Sequence, residues 1–312
     1  MSLRLVFCGT PEFAVPTFEA VVAAGHEVAL AVTQPDKPAG RKMELQAPPV
    51  KIAAQAHGIR VVQPAKIKQN EEFRAQLEAI RPDVIVVVAY GRIIPKWMLE
   101  LPPLGNINLH GSLLPKYRGA APIQWAIANG ESMTGVTTMR IDEGLDTGPL
   151  LLAEVQWVAP EETSVDVFEC LADVGAKLMV KTLHGLECGT ITAVEQNHKE
   201  ATHAPILKRE DGRIDFSHPA KQVFNRWRGF QPWPGAYATL RGKKFIAHTM
   251  RPAAGVTGGP GELVIEQGRM FAGCGDGAAV ELLEVQAEGK RRMSAAEFLH
   301  GFQAHAGERL GE

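Results

Sequence analysis

The stretch "DVIVVVAYG" (83–91) is the most hydrophobic run in a chain of 312 residues. Its centre, residues 84–88, is five β-branched side chains in succession, with no polar residue to mark a solvent face. Such a strand is buried on both sides, as happens in a parallel sheet covered by helices above and below. The flanking sequence supplies those helices. Upstream, "NEEFRAQLEAIRP" (70–82) has the spacing of an amphipathic helix, "IRVVQ" (59–63) that of a short strand, and "PPVKIAAQAHG" (48–58) that of a helix. "EVALAVT" (27–33) and "LRLVFC" (3–8) are further buried strands, and the helix between them, "FAVPTFEAVVAAG" (13–25), stops at Gly25. Downstream, "GNINLHG" (105–111) is a strand and "IQWAIANG" (123–130) a helix. "GVTTMRI" (135–141) and "LLAEVQWV" (151–158) are strands around the loop "DEGLDTGP" (142–149), and residues 164–186 form a long helix. Strands alternating with helices give the α/β class, with a doubly wound, mostly parallel sheet.

Beyond residue 188 the texture changes. "GTITAVEQNHKEATHAPILK" (189–208) keeps neither helical nor strand period and reads as a linker. The remaining residues form a series of short strand-like pieces set apart by glycines, such as "FIAHTMRP" (245–252) and "GELVIEQGRMFAGCGDGAAVELLEVQ" (261–286), with "SAAEFLHGF" (294–302) as a helix. The expected organisation is therefore a first domain over 1–188, a linker over 189–208 and a smaller C-terminal β-barrel over 209–312. The formal net charge of −2 conceals an asymmetry: residues 1–200 sum to −5 and residues 201–312 to +3. A mildly basic C-terminal part is compatible with phosphate contacts.

"MSLRLVFCGTPEF" (1–13) does not read as a signal peptide, and no apolar run approaches the ~20 residues that span a bilayer. The four cysteines are scattered without CxxC spacing, which suits a reducing compartment. The expectation is a cytoplasmic monomer without a membrane partner. "CGTPEF" (8–13) lacks G-x-G-x-x-G and any P-loop lysine, so NAD, FAD and ATP are not expected. Histidines 198, 203, 218, 300 and 305 have no metal-site spacing, and no metal is expected.

In a doubly wound sheet ligands bind beyond the carboxyl ends of the strands. Gly9, Tyr90, Gly91 and residues 108–110 converge there. Asn108 and His110 are two apart on a strand and so share a face. The loop after residue 141 brings Asp142, Glu143 and Asp146 within reach of the same edge. Asn, His and Asp together suit acyl or formyl transfer to an amine. A nucleophile adding to a carbonyl creates an oxyanion that needs donors at about 3 Å, which an amide and an imidazolium supply. The attacking amine must lose a proton, and either a carboxylate or the imidazole beside it can take or relay that proton. Ser112 invites a nucleophile reading, but there is no G-x-S-x-G elbow, and it follows His110 too closely for triad geometry.

"NLHGSLLPKYRGAAP" (108–122) together with "DEGLDTGP" resembles the folate-dependent formyltransferase family, whose members move a formyl group from 10-formyltetrahydrofolate to an amine. The resemblance implies a Rossmann-like core, catalytic positions at Asn108, His110 and Asp146, and a folate-contacting turn at Ser112, Leu113, Leu114 and Pro115. "THAPILKREDGRIDF" (202–216) and "RWRGFQPWPGAYATL" (226–240) resemble the OB-like C-terminal domain of those members that formylate methionyl-tRNA. "TQPDKPAGRK" (33–42) resembles their insertion against the acceptor stem, which implies tRNA contacts by Arg41 and Lys42. Met43 and Glu44 stand where a more basic stretch is expected. The partners so implied are initiator methionyl-tRNA and 10-formyltetrahydrofolate. The rivals are a formyltransferase for a nucleotide-sugar amine, an enzyme acting on formyl-folate alone, and a tRNA-binding protein without turnover.

Overall fold

The all-apolar strand 84–88 lies at the middle of a seven-stranded sheet. The computed structural model describes residues 2–39 and 44–311. The sheet is built from β1 (Arg4–Gly9), β2 (Glu27–Val32), β3 (Val61–Val62), β4 (Val84–Val88), β5 (Asn106–His110), β6 (Met133–Arg140) and β7 (Leu150–Trp157). Their spatial order is β7-β6-β5-β4-β1-β2-β3. β3, β2, β1, β4 and β5 run parallel, and β6 and β7 are added antiparallel at one side. All five residues of β4 are buried, as its composition requires. Because β1, β4 and β5 are parallel neighbours, with Gly9 opposite Val88 and Val88 opposite Leu109, their carboxyl ends open on one edge.

The helices are α1 (Val15–Ala23), α2 (Pro49–Ala56), α3 (Glu71–Ile80), α4 (Lys96–Leu99), α5 (Pro122–Ala128), α6 (Ser164–Glu187), α7 (Ala220–Gly229) and α8 (Ala295–Phe302). α3 shows why such segments are helical. Asn70 Oδ1 accepts from the Phe73 N–H at 3.0 Å, Glu71 and Glu72 occupy the first turn, and Phe73 and Leu77 bury one stripe. That stripe joins Val6, Leu30, Ile85 and Val87 in a core on one face of the sheet. On β5, Leu109 packs against α6, where a Cβ at Gly175 would come within 2.5 Å of it.

Two compact units divide the chain. The first comprises Met1–Pro122, Met133–Trp157 and Phe168–Ala204; the second Ile123–Ser132, Val158–Val167 and Pro205–Glu312. Most of α5 thus belongs with the C-terminal residues, because Trp125 Nε1 donates to the Pro205 carbonyl (2.8 Å) and its ring packs edge-on against Phe230. Residues 189–208 are not a bare tether. They include a 3₁₀ turn (His198–Glu200) and a two-residue strand (His203–Ala204) parallel to Arg118–Gly119. Residues 189–204 belong to the first unit.

The second unit contains an antiparallel sheet of β8 (Tyr237–Leu240), β9 (Lys243–Ala253), β10 (Leu263–Glu266), β11 (Arg269–Gly273) and β12 (Ala279–Ala287), in the order β8-β9-β12-β11-β10. β8 and β9 meet in a two-residue hairpin whose central residues, Arg241 and Gly242, both have positive φ, as a type I′ turn demands. The sheet curls until residues 309–311 join its two edges: the Leu310 N–H donates to the Gly261 carbonyl (2.7 Å) and the Gly311 N–H to the Thr239 carbonyl (2.8 Å). Phe245, Met250, Leu263, Met270, Leu282, Val285 and Phe298 fill the interior. This is the OB-like barrel expected for the C-terminal part.

Candidate active site

The polar residues of β5 alternate with apolar ones, so Asn106, Asn108 and His110 face one side and Ile107 and Leu109 the other. The three polar positions have different fates. Asn106 is buried and donates through Nδ2 to the carbonyls of Met98 (2.9 Å) and Leu99 (3.1 Å), which ties α4 to the sheet. The Asn108 amide is partly exposed and has no hydrogen-bond partner among the described residues. His110 is 6% exposed. Its Nε2 lies 2.9 Å from the Tyr117 carbonyl oxygen, which can only accept. Nε2 therefore carries a proton, and Nδ1 faces Asp146 Oδ2 at 3.7 Å.

Asp146 lies in the loop between β6 and β7 and has φ +53°, in the left-handed region that non-glycine residues enter at a cost of about 1–3 kcal/mol. Its Oδ2 accepts from the Gly119 N–H at 2.8 Å. Gly119 has φ +123°, and a Cβ there would lie 2.5 Å from the Ala204 carbonyl oxygen, so only glycine fits where strand 118–119 meets 203–204. One short segment, 117–119, thus orients both the imidazole, through the Tyr117 carbonyl, and the carboxylate, through the Gly119 amide. The other two acids of the loop do not join them. Asp142 is turned onto the Gly144 N–H and the Thr147 hydroxyl, and Glu143 lies 3.6 Å from Lys96 on the surface.

The turn Ser112 to Pro115 follows β5 directly. Ser112 is fully buried and donates to the Lys116 carbonyl (2.6 Å) rather than to His110, which removes the nucleophile reading. Thr137 Oγ1 donates to the Ser112 carbonyl (2.7 Å) and accepts from the Leu114 N–H (3.2 Å), fixing the turn against β6. Leu114 is buried, whereas Leu113 and Pro115 are partly exposed. Toward the sheet's centre, Thr10 and Gln34 both donate to the Tyr90 carbonyl, joining the ends of β1, β2 and β4. Burial pushes the Tyr90 phenol above its ordinary range.

Arg41 and Lys42 lie outside the described residues. The strands flanking them, Lys37–Ala39 and Glu44–Gln46, pair antiparallel. At the base of this hairpin Lys51 Nζ donates to both oxygens of Asp36 (2.8 Å each) and to Gln63 Oε1 (2.9 Å). The Lys51 bonds, joined by one from Gln63 Nε2 to Asp36 Oδ1 (2.7 Å), hold the Asp36 carboxyl below its ordinary range.

Two residues of this neighbourhood escape a reading of the sequence, Arg118 and Gln196. Both are 5% exposed. Gln196 Oε1 accepts from Arg118 Nε (3.1 Å) and Nη2 (2.6 Å), and its Nε2 donates to the carbonyls of Asp146 (2.9 Å) and Gly148 (2.7 Å). The signal for Arg118 is faint, a guanidinium in the otherwise small and apolar "YRGAAP" (117–122). Gln196 has none, since it stands in a segment without period. Among the described residues no group of three or more His, Cys, Asp or Glu is placed to hold a metal, and no helix is long and apolar enough to cross a membrane.

Comparison with known proteins adds two family matches, two relatives and two solved structures. Residues 3–183 match the family model described as formyl transferase, and residues 206–303 that described as formyl transferase, C-terminal domain. The chain is 60% identical over 310 residues to the methionyl-tRNA formyltransferase of Acidobacterium capsulatum, covering 99% of this chain and 100% of that one. It is 45% identical over 312 residues to that of Geobacter sulfurreducens, covering 99% and 97%. Among solved structures, WlaRD, a sugar 3N-formyl transferase in the presence of dTDP and 5-N-formyl-THF, shares the fold with a TM-score of 0.67 at 18% identity over 93% of this chain and 100% of that one. HypX from Aquifex aeolicus with tetrahydrofolic acid gives 0.66 at 17% identity; it covers 99% of this chain, which spans about half, 49%, of that longer one.

Proposed function

The chain belongs to the formyltransferase family, within it to the methionyl-tRNA formyltransferases, and from that premise we propose that it transfers the formyl group of 10-formyltetrahydrofolate to the α-amino group of methionyl initiator tRNA. The observation that carries the chemistry is the arrangement of His110. Its Nε2 is spent on the Tyr117 carbonyl, so Nδ1 is turned to Asp146 (3.7 Å) beside the unpartnered Asn108 amide. The amine attacks the formyl carbon, and the oxyanion that develops is met by the Asn108 N–H and by His110 when protonated. One proton leaves the amine and one is taken up by N10 of the departing folate. Asp146 and His110 relay between them, and no covalent bond to the protein forms.

The turn Ser112 to Pro115 is assigned to the folate, with the partly exposed Leu113 and Pro115 as its apolar contacts; one neighbour of similar fold is described in complex with tetrahydrofolic acid and another in the presence of 5-N-formyl-THF. Residues 1–188 are the catalytic domain in this reading. The C-terminal barrel, in the part of the chain with a +3 balance, holds the body of the tRNA while Arg41 and Lys42 engage its acceptor stem. The protein acts as a monomer in the cytoplasm. The deciding experiment is formyl transfer from 10-formyltetrahydrofolate to methionyl-tRNA, initiator against elongator, resolved on an acid gel. Formylation of the initiator alone is expected. Transfer to neither, with transfer to a nucleotide-sugar amine instead, would overturn the assigned acceptor.

A further inference from the structure

We infer that Arg118 and Gln196 are positioning residues that fix the backbone of Asp146 and thereby aim its carboxylate at the reacting amine. The inference rests on Asp146 being catalytic, as proposed above. Arg118 is 5% exposed, yet among the described residues no carboxylate lies within ion-pair distance of its guanidinium. It donates instead to the neutral Gln196 Oε1 and, through Nη2, to His198 Nδ1 (3.1 Å). A buried charge without a counterion is costly, so stability alone gives no reason for it.

The geometry gives one. A primary amide has two donor hydrogens and an acceptor oxygen with two lone pairs. Gln196 uses all of them: Arg118 fills the oxygen, and the nitrogen reaches the carbonyls of Asp146 and Gly148. With its oxygen held by the guanidinium, the amide cannot turn over, and its two hydrogens stay on the loop. Asp146 needs such a hold because its φ of +53° is otherwise unfavourable. The backbone of Arg118 belongs to the same device, since the next amide, Gly119 N–H, binds the Asp146 carboxylate. That strand is in turn fixed by residues near Gln196, through Arg118 N–H to the Thr202 carbonyl (2.8 Å) and Tyr117 N–H to Thr202 Oγ1 (2.8 Å). Backbone and carboxylate of Asp146 are therefore referred to one frame, made of 117–119 and 196–204. The expected linker is part of the wall of the site.

Gln196→Glu tests this. The carboxylate still accepts from Arg118, with a stronger pairing, but it has no hydrogen to give to either carbonyl. The expected result is a folded protein whose kcat for methionyl-tRNA formylation falls about 10- to 100-fold, the order of loss that follows a misplaced catalytic group, with KM for folate and tRNA within about twofold of wild type. Because Gln196 acts through Asp146, the same substitution made in an Asp146→Asn background should cost less than about twofold more. Wild-type kcat in folded Gln196→Glu, or a full independent loss in the double variant, overturns the inference. If Gln196→Glu does not fold, Arg118→Lys, which keeps the charge but loses the two-pronged grip, replaces it with the same expectations. If the wild-type chain formylates only a small amine, the acceptor assignment fails, and the comparison is run with that amine, since any amine acceptor needs the aimed carboxylate.

Discussion

In the second unit Glu281 has a side chain only 4% exposed and is gripped by two guanidiniums: Arg269 through Nε to Oε1 (2.7 Å) and Nη2 to Oε2 (2.6 Å), and Arg251 through Nε to Oε2 (2.7 Å). In the first unit the buried charge is Arg118, held by a neutral amide, while the buried imidazole and the carboxylate beside it stand 3.7 Å apart without a hydrogen bond. One cluster is saturated and the other is left open. In the saturated cluster both carboxylate oxygens are met by donors of the fold, so it serves stability. In the open one, Asn108 and the Nδ1 of His110 keep capacity for an outside partner, and a non-glycine residue sits at positive φ. Local rules are broken where a ligand is to complete the set.

The largest expected effects come from breaking the open cluster. His110→Ala or Asp146→Ala should reduce formyl transfer about 10²- to 10⁴-fold, the range for loss of an acid–base or oxyanion group. The cost in melting stability should be small, about 1–2 kcal/mol, because each removes one hydrogen bond, buried at His110 and partly buried at Asp146. Single-turnover transfer and a thermal melt on the same preparations check both halves. Near-wild-type turnover in either variant would remove that residue from the mechanism.

How far the sequence tells these clusters apart depends on the range of the interactions. The strand 84–88 and the pair Asn108 and His110 are legible because strand periodicity is local: five β-branched residues have no solvent face, and two positions apart means one face. Asp146 is only half legible. Three acids enter the loop, and the structure separates them by an Asx turn at Asp142 and a surface contact at Glu143. Gln196 is not legible at all, since its partners lie 78 and 50 residues away and no local pattern encodes them. Helix α7 is missed for another reason. Asn225 and Arg228 are buried alongside Val223, Phe224 and Trp227, so polar residues interrupt the apolar stripe. Arg228 compensates by donating to Asn225 Oδ1, one turn back on the helix, and to the Glu162 carbonyl, 66 residues away in the sequence and beyond any local pattern.

The saturated cluster supplies the smaller, complementary prediction. The Arg269 and Arg251 bonds draw the Glu281 carboxyl down to about 2. A carboxyl with a folded pKa below its unfolded value near 4.5 stabilises the fold above that value, and the contribution is lost as pH falls from about 4.5 to about 2. Glu281→Gln should therefore melt lower than wild type at pH 7, by about 1–3 kcal/mol. That is less than the ~3–5 kcal/mol for breaking a fully buried pair, because both guanidiniums are about half exposed and remain hydrated. Between about pH 4.5 and pH 2 the two melting curves should converge. Formylation at neutral pH should stay within about twofold of wild type, as for substitutions remote from the reacting groups. A constant difference down to pH 2 would show that the carboxyl is not held by these charges.

Arg251→Ala sharpens the contrast further and has the smallest expected effect. Arg251 lies directly across the sheet from Glu281 and gives one bond, while Arg269 gives two in a fork. Removing the single bond leaves both Glu281 oxygens with a donor, so a thermal melt should show a smaller loss than Glu281→Gln at pH 7. The acid-induced convergence should persist in Arg251→Ala, because the fork that depresses the carboxyl is intact. If Arg251→Ala matches Glu281→Gln instead, the two arginines act as one unit. The cluster would then resemble the site after all, in having no part that can be spared.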